Sequence, residues 1–195
     1  MKKFLFLGLI VLLLAFKSDN ILVEKTAMVI MPNSYLSIMG KTNVSQFNCD
    51  LNISSINSPI AINYVKTSDN VLFKNTKLLV HNSCFDCGSK TMNKDFLDLL
   101  KTPEHPNIIL SLKEIDLSTN QKNQVIAHIE IKVAGETRPY AVPVILSNNH
   151  LLKISGCLNL RLSDFNIPAP KKIMGLVAVK DDFQISFDLE IDECK

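Results

Sequence analysis

The chain has 195 residues, of which 47% are hydrophobic, and a formal net charge of +2 from 21 basic and 19 acidic residues. This apolar content excludes a disordered chain, and the length suits one domain or a small pair. The charges are nearly balanced and the longest basic run is Lys171-Lys172, so no nucleic-acid partner is expected.

The N-terminal segment predicts export. Two lysines precede an apolar run of 13 residues from Phe4 to Phe16, which is typical of a secretory signal. A membrane-spanning helix needs about 20 residues, so the run is too short to span a bilayer. We expect residues 1–18 to be a signal peptide and residues 19–195 to form one periplasmic or secreted domain. An uncleaved N-terminal anchor is the alternative, because only Ala15 and Ser18 offer small residues near a cleavage site.

The remaining sequence is dominated by strand patterns. Apolar and polar residues alternate clearly within 125–133, 152–161 and 183–191, which predicts strands with one dry face and one wet face. In chain order, strands are predicted at 26–31, 35–41, 44–53, 60–65, 76–81, 107–116, 125–133, 140–146, 152–161 and 183–191. Turn residues between them, such as Thr119-Asn120 and Gly135, are typical of a sandwich or barrel.

One segment has helical spacing instead. The apolar residues of 90–102 that recur at this spacing are Met92, Phe96, Leu99 and Leu100. Ser89 is the expected N-cap and Pro103 the stop signal. A single short helix cannot cover a sheet that is dry on one face, so the sheet must close on itself. The sequence therefore predicts an all-β fold, an antiparallel barrel of about eight strands with one helix.

Three sequence blocks carry a family resemblance. They are GKTNVSQFNC at 40–49, MNKDFLDLLKTPEHPNIILSL at 92–112, and GETRPYAVPVIL at 135–146 with LNLRLSDFNIPAPKKIMGLVAVKDDFQISFDLEI at 158–191. In this order they resemble the YceI-like family of exported lipid- and polyisoprenoid-binding proteins, in the cysteine-bearing variant common in Bacteroidetes. The resemblance covers roughly the whole mature chain. It implies a lipocalin-like barrel that holds an isoprenoid or other long apolar lipid, with no catalytic residues and no cofactor.

The apolar strand faces are the expected wall of the ligand site. They comprise Phe47, Val125, Ile129, Ile131, Leu152, Ile154, Phe183, Ile185 and Phe187. Burying a hydrocarbon chain against them would gain about 0.8 kcal/mol per CH₂ group. The same residue types also build an ordinary solid core, so a structural envelope domain with a filled barrel, acting through an unknown partner, is an alternative. Arg138 could pair with a ligand phosphate at the barrel mouth, although a solvated turn arginine is the favoured interpretation.

The five cysteines leave at least one thiol outside any internal pair. Cys49 and Cys87 occupy positions where the similar Bacteroidetes-type sequences tend to carry cysteine, and the resemblance thus implies a disulfide between them. Two alternatives are open. Cys84 and Cys87 form a C-x-x-C motif before the helix, as in thiol–disulfide oxidoreductases, and a zinc site could use His81 with Cys49, Cys84 and Cys87. Cys157 and Cys194 have no predicted role.

No catalytic motif of a hydrolase, metalloprotease or nucleotide-binding enzyme is present in the sequence. The four histidines, His81, His105, His128 and His150, lie on different segments and are expected in surface or loop positions. Asp181-Asp182 is expected to mark a turn. We therefore predict a binding protein rather than an enzyme, without a metal.

Overall fold

The computed structural model describes residues 23–121, 123–148, 150–172 and 176–194. The predicted signal peptide lies outside these ranges. The described strands are β1 (Glu24–Ile30), β2 (Tyr35–Thr42), β3 (Gln46–Leu51), β4 (Ile60–Lys66), β5 (Asn70–His81), β6 (Phe85–Asp86), β7 (Asn107–Gln121), β8 (Gln124–Val133), β9 (Glu136–Asn148), β10 (Leu152–Arg161), β11 (Lys171–Lys172) and β12 (Val177–Glu193). One α-helix, α1 (Lys90–Leu99), and three 3-10 turns, Ile53–Ser55, Asn82–Cys84 and Leu162–Phe165, complete the described elements.

Eight strands close into an antiparallel ring, which confirms the predicted barrel. The order is β1-β4-β5-β7-β8-β9-β10-β12, and β12 pairs back onto β1 with Ile30 opposite Ile191. Closure pairs the backbone N–H and C=O groups of strands that would otherwise form sheet edges. It also buries the apolar face of every strand in the ring.

The long strand β12 holds two partners on one edge. Beyond β1 it pairs with β2 from Val179 to Asp188, and β2 continues the sheet through β3 to β6. The corner between β1 and β2 is fixed to Glu190, whose carbonyl accepts from the Met31 amide at 2.8 Å and whose amide donates to Ser34 Oγ at 2.9 Å. The sheet therefore extends past the ring at the end where β2, β3 and α1 lie.

The helix begins where predicted and ends earlier. Ser89 Oγ accepts from the Met92 amide at 3.2 Å, which confirms the N-cap. The last helical residue is Leu99, three residues short of the predicted end. Lys101 adopts a left-handed conformation with φ 52°, which stops the helix before Pro103 is reached.

Three local predictions are wrong. Asp181 and Asp182 lie inside β12, not in a turn, next to a register shift between Val179 and Phe183. The 119–120 turn is also wrong, because β7 continues to Gln121. Strand β5 begins at Asn70, six residues before the predicted start at 76, because another register shift interrupts its alternation between Leu72 and Thr76.

The barrel core has two ends of different composition. At the helix end, α1 and the 3-10 turn Leu162–Phe165 cover the strands, and the buried residues include Leu100, Ile131 and Phe165. At the far end, the core is built from Val125, Ala127, Val142 and Val144 on β8 and β9. A cluster around Cys49 and Cys87 joins β3 and β6 to the helix end. No helix among the described residues has the length and apolar character needed to cross a bilayer.

Candidate functional site

Two adjacent cavities lie at the helix end. The outer groove, of about 480 Å³, runs between α1 and the strands β2, β3 and β12; it is lined by Thr42, Ser45, Gln46, Phe47, Cys49, Cys87, Met92, Asp95, Phe96, Asp98, Leu99, Pro170, Val177 and Val179. The inner cavity, of about 80 Å³, lies deeper in the barrel; it is lined by Ile38, Gly40, Phe47, Cys49, Phe96, Leu99, Leu100, Ile108, Ile131, Val133, Leu160, Leu162, Phe165, Ile167, Val179, Lys180, Phe183 and Ile185. Five residues line both: Phe47, Cys49, Phe96, Leu99 and Val179. The two spaces are therefore adjacent and are separated by a shared apolar wall.

Phe47 borders both spaces, and its position depends on Gly40. The two residues are direct cross-strand partners on β2 and β3. A Cβ atom on Gly40 would overlap the Phe47 ring, so only glycine lets the ring lie across the neighbouring strand. The GKTNVSQF block therefore has a structural role beside the two cavities, because it supplies both members of this pair.

The start of α1 is tied to β3 and β6. Cys49 and Cys87 form a disulfide with their Cα atoms 3.9 Å apart, which confirms the predicted pair. Asn93 Oδ1 accepts from the Cys87 amide at 2.6 Å, and its Nδ2 donates to Asp86 Oδ1 at 3.1 Å. The Gly88 amide and the Asn93 side chain, which donate to Asp86, lower the pKa of that carboxyl. These bonds position the helix over the groove.

The segment after α1 is tied to the barrel by Asn82 and His105. The buried Asn82 side chain donates to Thr102 Oγ1 at 3.0 Å and to the His105 carbonyl at 2.8 Å. The His105 ring lies against Gly135, where a Cβ would come within 2.9 Å of its Cε1. Gly135 has φ 91°, so the turn between β8 and β9 needs glycine both for its backbone and for this contact. Both ends of α1 are therefore anchored to the barrel.

The polar groups of the site lie at the entrance. Thr42, Ser45 and Gln46 line one side of the outer groove, and Asp95 and Asp98 line the helix side. The inner cavity has Lys180 as its one charged lining residue, and its other lining side chains are apolar. This arrangement suits a molecule with a long apolar part and a small polar end at the rim.

The predicted wall residues divide between the two ends of the barrel. Four line the inner cavity: Phe47, Ile131, Phe183 and Ile185. The remaining five lie outside both linings. Val125 is buried in the far-end core, and Ile129, Ile154 and Phe187 pack against it, while Leu152 is half-buried at the start of β10.

Sequence reasoning missed part of the lining. Phe96 and Leu99 on α1, and Leu100 directly after it, line the inner cavity, whereas the sequence pattern predicts only their helical spacing. Their apolar spacing was the available signal, because an apolar helix face must cover something. Phe165 and Ile167 give no periodic signal, since Phe165 ends a single 3-10 turn and Ile167 follows the cap residue Asn166, which has φ 54°.

Arg138 lies outside both linings. Its Nη1 is 3.3 Å from Glu136 Oε2 and donates to the Thr137 carbonyl at 2.9 Å. Nearby, Tyr140 donates to Asp164 Oδ2 at 3.3 Å. Burial, and then the negative charge of Asp164, raises the pKa of Tyr140 to about 12, partly offset by Arg138. A head-group contact of Arg138 stays a prediction.

The disulfide changes the interpretation of the other cysteine hypotheses. Cys87 is bonded to Cys49, so it does not form a dithiol with Cys84, and the predicted zinc set loses two thiolates. Cys84 is half-buried, and Cys157 and Cys194 are exposed free thiols. Within the described ranges, no three His, Cys, Asp or Glu side chains are grouped to hold a metal ion. His128 is exposed on β8, as expected for the wet face of that strand.

Comparison with known proteins identifies the fold and the family. Residues 38–191 match the family model described as YceI-like domain. A polyisoprenoid-binding domain from Saccharophagus degradans, implicated in plant cell wall breakdown, aligns with a TM-score of 0.61 at 8% identity over 87% of this chain and 99% of that chain. BcnA from Burkholderia cenocepacia aligns with a TM-score of 0.56 at 20% identity over 82% of this chain and 96% of that chain. No curated protein sequence matches the chain. At these identities the two structures share the fold.

Proposed function

Because this chain belongs to the YceI-like family, we propose that it binds a long apolar lipid of the polyisoprenoid type and carries it without making or breaking a bond. The observation that carries the proposal is the pair of adjacent apolar spaces, the outer groove and the inner cavity, which share five lining residues. The groove volume of about 480 Å³ lies within the range of roughly 300–1,000 Å³ found for small-molecule sites. The polyisoprenoid-binding domain of the same fold from Saccharophagus degradans supports this ligand class.

The lipid would enter between α1 and the β2–β3 hairpin. Its polar end would stay at the rim beside Thr42, Ser45 and the exposed Asp98 of α1. Its hydrocarbon chain would pass Phe47 toward Ile131 in the inner cavity. Each buried CH₂-sized group would contribute about 0.8 kcal/mol, so chain length rather than head-group chemistry would dominate affinity.

The proposal includes a location. The charged and apolar start of residues 1–18 is the basis for export to the periplasm or the medium. N-terminal sequencing of protein from the envelope fraction should find a chain that starts close to residue 19. Intact Met1 in cytosolic protein would contradict export.

Bound lipid is the direct test of the carrier function. Protein purified from its own host should release a prenyl-type lipid on extraction, and native mass spectrometry should show the same mass on the intact protein. Leu99, which lines both cavities, supplies the variant, and Leu79, exposed on the outer wall, supplies the control. Leu99→Gln should reduce retained lipid, while Leu79→Gln should not. A wild-type protein that carries no lipid and binds no prenyl probe would favour the filled structural barrel.

A further inference from the structure

Two exposed apolar side chains stand together at the entrance of the outer groove. Val44 is 70% exposed at the tip of the β2–β3 hairpin, and Leu176, directly before β12, is 71% exposed. These are the highest exposures of large apolar residues in the described part of the chain. We call this pair the lip. Single exposed apolar residues are ordinary on protein surfaces, but a fixed pair beside an apolar groove needs an explanation.

Asn43 holds the two halves of the lip together. Its Nδ2 donates to the Leu176 carbonyl at 2.9 Å, and its Oδ1 accepts from the Ala178 amide at 3.0 Å. Its own amide donates to the Ala178 carbonyl at 3.0 Å. Three hydrogen bonds from one residue thus join the hairpin tip to the start of β12, and the lip is a defined projection.

The lip is continuous with the groove. Thr42 and Ser45 on either side of the hairpin tip, and Val177 next to Leu176, all line the outer groove. A surface that covers the lip would therefore also meet the opening through which a lipid enters.

Three exposed lysines flank the lip. Lys41 lies three residues before Val44, Lys171 pairs across strands with Ala178, and Lys180 follows in β12; all three are exposed. None forms an ion pair with a carboxylate among the residues that the structure describes. Their charge is therefore available to an external anionic partner.

The nearby acidic groups do not cancel this charge at the lip. Asp181 accepts from Ser163 Oγ at 2.6 Å, and Asp182 is paired with Arg161 at 3.4 Å, so both interact with the segment around the end of β10. Asp95 and Asp98 line the helix side of the groove, opposite the lip. The three exposed lysines thus lie on the lip side of the entrance, and this is the side that would face an anionic surface.

We propose that the lip and its lysines dock on a bilayer that contains anionic lipid, so that the outer groove opens toward the membrane. The inference rests on the proposed carrier function and adds the place where lipid is exchanged. Two apolar side chains beside lysines match the interface of an anionic bilayer, where apolar groups insert and cations bind head groups. The same two side chains are too small a patch for a stable protein interface, which buries roughly 1,200 Å² or more.

Vesicle flotation tests the docking. The exported protein is mixed with vesicles of equal parts phosphatidylethanolamine and phosphatidylglycerol, or with phosphatidylcholine alone. The lip variant is Val44→Ser with Leu176→Ser, and the charge variant is Lys41→Gln with Lys171→Gln. The matched control is Leu79→Ser with Ile145→Ser, which removes two apolar side chains that are 55% and 53% exposed on the outer wall. All proteins share the same N-terminus, so differences between them belong to the substituted residues.

Wild type and control should float with the anionic vesicles, and binding should weaken with added salt. The charge variant should bind roughly 25-fold more weakly, since it removes two lysines and each is worth roughly fivefold near an anionic surface. The lip variant should bind at least about tenfold more weakly, because its two apolar side chains no longer insert into the bilayer. Binding of a dansyl-labelled geranylgeraniol, measured without vesicles, should be unchanged in both variants. If wild type does not bind this probe, the carrier function is contradicted, and vesicle flotation still decides the docking separately. If wild type does not float with anionic vesicles, or if the lip variant floats as well as the control, the docking proposal is wrong. A protein partner would then be the remaining candidate for binding the lip.

Discussion

The two ends of the barrel use the same strands but differ in how they are filled. Val125 and Ile131 lie on the same face of β8, and each is only 1% exposed. Val125 packs at the far end with the small residues Ala127, Val142 and Val144. Ile131 instead borders the inner cavity, with large side chains from α1 and from the Leu162–Phe165 turn. Small side chains form a buried cluster at the far end, whereas separate elements crossing the other end leave a space between themselves and the strands.

Removal of the disulfide should have the largest effect on stability, and this effect should be confined to the helix end. Replacing both Cys49 and Cys87 by Ser should lower the free energy of unfolding by about 2–5 kcal/mol, because the cross-link closes a loop with a sequence separation of 38. Hydrogen exchange should accelerate in α1 and β3 and stay unchanged in the far end of β8. The exposed Cys157→Ser is the control and should have no effect. Equal acceleration at both ends would contradict the division between them.

The next prediction compares Val125→Phe with Ile131→Phe. At the far end the larger ring has no space, so Val125→Phe should lower the free energy of unfolding by about 1–3 kcal/mol. At the helix end the ring can extend into the inner cavity, so Ile131→Phe should be less destabilising and should weaken binding of the labelled prenyl probe. Denaturant unfolding and probe titration measure the two effects. If both variants lose the same stability and binding is untouched, the inner cavity is not part of the ligand site.

Replacing either of two glycines should give a smaller difference in stability between the two ends of the barrel. Gly40 lies under Phe47 at the helix end, and Gly156 lies under Phe187 toward the far end. A Cβ on Gly156 would come within 3.0 Å of the Pro143 carbonyl as well as meeting the ring, so Gly156→Ala should destabilise by about 1–2 kcal/mol. The three atoms nearest to a Cβ on Gly40 all belong to the Phe47 ring, which has the groove beside it, so Gly40→Ala should destabilise less while altering prenyl binding. Thermal unfolding with probe titration distinguishes them, and the reverse order of stability would count against a movable Phe47.

The smallest effect concerns pH at Tyr140, between the two ends. Burial and Asp164 raise the pKa of Tyr140 to about 12, above the value of about 10 expected in the unfolded chain. The neutral phenol is therefore favoured in the fold, and stability is fully present below pH 10 and declines as pH rises toward 12. Tyr140→Phe should reduce this decline by on the order of 1 kcal/mol, allowing for solvent screening. Identical pH profiles of wild type and variant would show that this phenol does not stay neutral.

Strand and helix positions could be predicted because their signals are local. Alternation along β8 and β10 and the N-cap Ser89 depend on neighbours in the sequence, and the structure confirms them. Predictions failed where the alternation shifts, as at Asp181 in β12 and before Thr76 in β5. A bulge is set by pairing with the next strand, which a single segment does not reveal.

The lining of the site was predicted only in part for a related reason. Alternation indicates that Val125, Ile129 and Ile131 share a face, but it carries no information about what lies opposite that face. Whether such a residue meets a cavity or a solid core depends on which element crosses above it. The contribution of Phe165, from a single 3-10 turn, had no periodic signal at all.

The sequence by itself determined the closed antiparallel sheet, the short helix α1 and the family. These follow from dry strand faces that a single helix cannot cover, and from the order of three sequence blocks. Only the tertiary structure decided where the barrel contains a cavity and how α1 is held above it. The hollow exists because α1 is anchored at Cys87 and Asn82 above strands whose large side chains do not fill the space beneath it. Cavity volume depends on the distance between elements far apart in the chain, and residue type does not encode that distance.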